Sequence, residues 1–154
     1  MIHRCKVTVL KTNCFENLQE DYLANPHSGP CPCFHEGNVY MFDRTSKKDD
    51  FYHAGLNTLV HSDHDFDTEA GGPKRPFCAE AWDAISRYIY TALQGGAIMH
   101  GWTNDDRLMI ACCNDGTRPV IFRIERIDVP KTKKEEEWLA KQDFTNKTDD
   151  AYTG

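Results

Sequence analysis

Cys5, Val7 and Val9 alternate with Lys6 and Thr8, the two-residue period of a half-buried strand, so the chain is expected to open on one. Residues 16 to 23 predict a short helix that Asn25-Pro26 stops. Gly29-Pro30-Cys31-Pro32-Cys33 must then be turn or extended chain, because each proline fixes φ and disfavours helix in the residue before it. Two thiols therefore ride on a stiff loop. Glu36-Gly37-Asn38 leads into Val39-Tyr40-Met41-Phe42, a β-prone run bounded by turn residues. From 78 to 93, Trp82, Ile85, Ile89 and Ala92 or Leu93 recur at three- and four-residue steps, and Gly95-Gly96 supplies a stop: this is the main predicted helix. Residues 107 to 113 and 118 to 128 read as two strands around Asn114-Asp115-Gly116, where Asp-Gly is expected to turn at positive φ. In the second of these, Val120, Phe122 and Ile124 share one face, Arg123 and Glu125 the other.

These elements predict an α+β fold: a small antiparallel or mixed sheet of about four strands, with helix 78–93 covering one face as layered packing requires. One domain is expected over 1–130. Residues 44–75 break the pattern, with Leu56, Leu59 and Val60 as their aliphatic residues, and read as an inserted loop or lid. After Pro130, residues 131 to 142 suggest a solvated helix docking through Trp138 and Leu139, followed by a frayed tail to 154. The second sheet face needs cover from the insertion, the tail or another subunit, and Ile121 and Ile127 beside charged residues allow a homodimer.

At 154 residues and 40% hydrophobic, the chain has the material for one core. Its net charge of −6 and lack of clustered Lys and Arg argue against nucleic acid as a partner. No apolar run is long enough for a membrane span or follows a basic start as in an export signal, so a cytoplasmic location is expected. Seven cysteines, an odd number including the adjacent Cys112 and Cys113, then favour reduced thiols over a disulfide framework.

Four ordered motifs carry a resemblance: Gly29-Pro30-Cys31-Pro32; Phe34-x-Glu36-Gly37; Phe77-Cys78-x-x-Ala81-Trp82-x-x-Ile85 running on to Gly95-Gly96; and Cys113-x-Asp115-Gly116-x-Arg118-Pro119-Val120-x-Phe122-x-Ile124-Glu125-Arg126. Over roughly residues 4 to 43 and 76 to 128 the chain resembles a family of small, uncharacterised, cysteine-containing microbial proteins. The resemblance implies one small domain and, because those proteins have no assigned activity, no mechanism. The chain departs from the pattern in segment 44–75, in the tail after 130, and in carrying Ala79 where a proline is expected.

Cys78 falls at the start of the helical stripe, where free amides and the macrodipole stabilise a thiolate; the plainer alternative is that it packs as a small apolar side chain. If the protein is an enzyme, Cys78 is the expected nucleophile or acid/base, His35 its proton-transfer partner and Arg118 an anchor for an anionic small-molecule ligand. A cofactor-free isomerase, lyase or hydrolase would suit such a site. The alternative is a non-catalytic metal module in which Cys31, Cys33 and His35 take a fourth ligand from Cys113 or Cys78, with zinc or iron as the metal. A third reading has the cysteines only packing in an interaction domain. Cys112 and Cys113 should point to opposite sheet faces, with Cys113 the one at the site. Within residues 53–69, His53, His61 and His64 could join a metal site, but their acidic surroundings lack the glycine and distal glutamate of a calcium loop.

Overall fold

A computed structural model of the chain describes residues 1–42 and 77–141. Segment 44–75, its histidines, the tail beyond 141 and the side chains of Trp138 and Leu139 lie outside the described residues. The elements are β1 (Ile2–Thr12), α1 (Glu16–Tyr22), β2 (Val39–Phe42), α2 (Ala79–Leu93), β3 (Leu108–Cys112), β4 (Val120–Val129) and α3 (Lys133–Lys141). The four strands form one antiparallel sheet in the order β2-β1-β4-β3, giving the expected α+β architecture.

The inner face is set by alternation. Cys5, Val7 and Val9 of β1, Tyr40 and Phe42 of β2, and Val120, Phe122 and Ile124 of β4 are all buried. Met109 pairs with Ile124 and Ala111 with Phe122, which extends the same face onto β3. The register of β1 on β4 shifts between Val9 and Lys11, leaving Leu10 as the extra residue of a bulge, 36% exposed. Helix α2 lies on this face through Ala81, Ile85, Ile89, Ala92 and Leu93. Trp82 sits at the rim, half-buried and stacked on Phe42 at 5.8 Å.

Both ends of α2 are tied to the β3–β4 hairpin. At the front, the Asn114 Nδ2 amide donates to Glu80 at 3.0 Å and to Asp83 at 2.8 Å. At the back, Gly95 takes φ +79°, and the Gly95 and Gly96 amides donate to the carbonyls of Ala92 and Thr91, a Schellman ending. The Gly95 and Gly96 carbonyls then accept from Arg126 Nη1 at 2.7 and 2.6 Å. The rest of that guanidinium faces Asp128, whose Oδ1 also lies 2.7 Å from His3 Nδ1. Arg126 Nε is 3.0 Å from the same Oδ1 but off the hydrogen-bonding axis, so that contact is ionic only. The His3 ring and then Arg126 hold the Asp128 carboxyl below its ordinary range.

One turn differs from expectation. Gly116 has no positive φ; among the described residues the glycines that do are Gly29, Gly37, Gly95 and Gly101. The β3–β4 connection is a wider loop, closed by the Asp115 carboxylate, which accepts from the Thr117 amide and hydroxyl at 2.9 and 2.8 Å. An Asx-type side-chain bond does the work that a left-handed glycine would otherwise do.

The outer face carries Arg4, Lys6, Thr8, Met41, Ile110, Ile121, Arg123, Glu125 and Ile127, all half-buried. A cavity of about 310 Å³ opens at the Arg126 end of the hairpin, among Asp105, Arg107, Arg123 and Glu125. Its charges pair among themselves, Arg107 with Asp105 at 2.8 Å and Arg123 with Glu125 at 3.5 Å.

Candidate functional site

The proline-stiffened loop is fastened to the core through Phe34. That ring is 2% exposed and meets Phe77, Phe122 and Tyr40 edge-on, with centroids at 5.2, 5.1 and 5.8 Å. Such ring pairs contribute roughly 0.5–1.5 kcal/mol each beyond the area they bury. Because Cys33 precedes Phe34 and Cys78 follows Phe77, the Phe34–Phe77 contact carries one thiol from each segment to the same place.

The Cys33 thiol has those of Cys31 and Cys78 as its neighbours. Cys31 Sγ also accepts the Cys33 amide at 3.4 Å. Partial burial, then the two neighbouring sulfurs, push the Cys33 thiol up from its ordinary pKa. Cys33 thus holds its proton more tightly than a free cysteine does. Cys78 is the N-cap residue of α2, with φ −66° and ψ 129°, and makes no side-chain capping bond. Its side chain is half-buried and packs against the core.

A buried amide fixes the other end of the loop. Gln19, on α1, is 1% exposed; its side chain accepts from the Gly29 amide and donates to the Gly29 carbonyl, both at 2.9 Å. It also reaches Thr117 Oγ1 at 3.4 Å. Arg118 Nε donates to Asp115 at 2.9 Å, and its Nη1 lies 3.5 Å from the carbonyls of both Gly29 and Pro30. Those contacts join the hairpin to the loop, so Arg118 acts on protein groups in the place where a ligand anchor was expected.

The remaining candidates are placed apart from the thiol trio. His35 opens a tight turn: its amide donates to Asn38 Oδ1 at 2.8 Å and its carbonyl accepts the Asn38 amide at 3.1 Å. Its exposed ring makes no hydrogen bond among the described residues. Cys113 packs against the core, with its sulfur accepting the Val120 amide at 3.4 Å, while Cys112 is exposed, so the two point apart. Cys31, Cys33, His35 and Cys113 do not gather as a ligand set. Among the described residues no group of three or more His, Cys, Asp and Glu side chains is arranged to hold a metal ion. None of their helices is long and apolar enough to cross a membrane. Gln19 escaped the sequence reading because a glutamine in a short polar helix carries no pattern; its one signal is the nearby Gly29 that must turn at positive φ. Compared with protein-family models, curated proteins and solved structures, the chain has no match.

Proposed function

We propose that the chain is a cytosolic thiol protein whose site is the junction of the Cys31–Cys33 loop with the start of α2, and that it acts on small electrophilic molecules through Cys78. The observation that carries this reading is the Phe34–Phe77 contact, which joins the loop of Cys33 to the segment of Cys78. Cys78 stands at the N-cap of α2, where the first-turn amides have no intrahelical partner. The bond from Asn114 directs the Glu80 carboxylate to the hairpin. Cys33, which keeps its proton, takes the proton-transfer role that His35 was expected to fill. Arg118 and Gln19 hold the loop in position. The seven cysteines, all unpaired in disulfides, fit a reducing compartment.

Site-resolved alkylation by iodoacetamide across a pH series tests the reading. Cys78 is expected to react ahead of the exposed Cys112 at neutral pH, and Cys33→Ala, which removes the neighbouring S–H, to slow Cys78 by about threefold, the worth of one weak hydrogen bond. Reaction of Cys78 at the rate of Cys112, indifferent to Cys33, removes the basis for calling it a nucleophile.

A further inference from the structure

We propose that the cavity at the Arg126 end of the hairpin binds a free α-amino acid, with Arg123 and Arg107 receiving its carboxylate and Glu125 its ammonium group. This site lies at the C-terminal end of α2, opposite Cys78, and is independent of the thiols.

The cavity is a step in the sheet. Strand β3 begins at Leu108, and the Arg126 amide donating to the Arg107 carbonyl at 2.8 Å extends the ladder by one rung. Strand β4 runs on to Val129, while the chain before β3 turns away, the Leu108 amide donating to the Asp105 carbonyl at 3.0 Å. The space left is about 310 Å³, the size of a small-molecule site, and Leu108 and Ile127 give it an apolar wall.

Three arginines and three carboxylates line it, so the lining is neutral and suits a ligand with one charge of each sign. Four of these six side chains are matched already. Arg107 closes a fork on Asp105, through Nε at 3.1 Å and Nη2 at 2.8 Å. Arg126 is held by the Gly95 and Gly96 carbonyls, and Asp128 by His3 and Arg126. Arg123 and Glu125 are not matched in this way. They approach at 3.5 Å, from Nε to Oε2, and neither of these two occluded atoms makes a hydrogen bond. The side chains are nevertheless 38% and 34% exposed, so the polar atoms they present to the cavity are the terminal nitrogens of Arg123 and Oε1 of Glu125. A carboxylate takes two guanidinium nitrogens as a fork, and an ammonium group donates to the facing carboxylate; the loose ion pair is thereby exchanged for directed bonds. Arg107 spends Nε and Nη2 on Asp105, which leaves Nη1 for the same ligand carboxylate. Because Arg123 and Glu125 are already in contact, the two charges of the ligand must be close neighbours too, carried on one carbon.

Titration of wild-type protein with the protein amino acids, one at a time, provides the test, read by NMR at the arginine Nε–H signals and the backbone amides of 105 to 108 and 123 to 128. At least one is expected to shift these signals saturably, and its N-acetyl and carboxamide forms to bind about tenfold more weakly or worse, since each removes one charge-assisted contact. γ-Aminobutyrate, whose charges are spread along a chain, should be as weak. Arg123→Gln and Glu125→Gln should each cost about tenfold in affinity and leave Cys78 alkylation as in wild type. No amino acid shifting these signals overturns the proposal, as does acetate or inorganic phosphate shifting them as strongly as the best amino acid, which marks an anion site only. Binding that survives both substitutions overturns it as well. The wild-type series stands whether or not the variants fold.

Discussion

Replacing Arg126 by methionine keeps the apolar stem and removes the guanidinium that closes the C-terminal end of α2. Two short bonds are lost, at 2.7 and 2.6 Å to the Gly95 and Gly96 carbonyls, together with a longer one at 3.2 Å and the ionic contact to Asp128. Bonds to a charged group contribute about 1.5–3 kcal/mol each, and a cation at a partly buried helix C-terminus up to about 2 kcal/mol. These terms overlap. The half-buried glycine carbonyls regain some water, and Asp128 keeps His3 at 2.7 Å, which together bring the expected loss down to about 3 kcal/mol. With a urea slope of about 1.5 kcal/mol/M for a domain this size, the midpoint should fall by about 2 M at unchanged slope. Far-UV circular dichroism through a urea series measures it. Arg126→Lys restores a cation and a donor but not the fork, and should recover about half of the loss. A methionine variant within about 0.5 kcal/mol of wild type, the range of an ordinary surface change, refutes the clamp.

Gln19→Leu leaves the Gly29 amide and carbonyl without their buried partner and should cost about 2–3 kcal/mol. Deuterium exchange should quicken in residues 29 to 35 while α2 stays protected; unchanged exchange in the loop counts against the anchor. Gly95→Ala forces a side chain into the left-handed region and into the His3 ring, and should cost about 1–3 kcal/mol by thermal melting. An unchanged melting temperature would show that the ring yields freely. Burial pushes the Cys5 thiol far up, so the folded state binds its proton more tightly than the unfolded chain. Stability from this group is complete below the ordinary thiol pKa and is lost as pH rises above it toward the folded-state value. Cys5→Val should flatten that alkaline decline in urea midpoints, and an unaltered decline would assign it to other groups.

The strands were legible where residue type and period agreed. Val39–Phe42 was predicted as observed, and Val120, Phe122 and Ile124 face the core as their alternation required. The helix followed from Ile85 and Ile89, with Ala81 completing the stripe and Trp82 displaced to the rim, since a small side chain allows closer approach to the sheet. The division of Cys112 from Cys113 needed only the two-fold period of a strand. Contacts between distant segments were not legible. Phe34 sits in an unpatterned loop, and nothing local announces that its ring will reach Phe77 and bring Cys33 to Cys78. Arg126 was visible as part of a motif, but its work depends on where the last turn of α2 arrives. His35 and Arg118 had suitable chemistry for a site, yet one is directed into a turn and the other is engaged by Asp115.

The two attachments of α2 to one hairpin make that hairpin a ruler. The helix has 15 residues, so it is ~22 Å long. Strand β4 rises ~20 Å from Val120 to Arg126, with Asn114 reaching the helix from the loop before it. Adding or deleting one residue within β4 therefore cannot be absorbed at a single end. If Arg126 keeps the glycine carbonyls, Asn114 is pulled from Glu80 and Asp83, and the displacement appears at the helix start that carries Cys78. The spacing of a strand with no thiol of its own thus determines how closely two sulfurs approach.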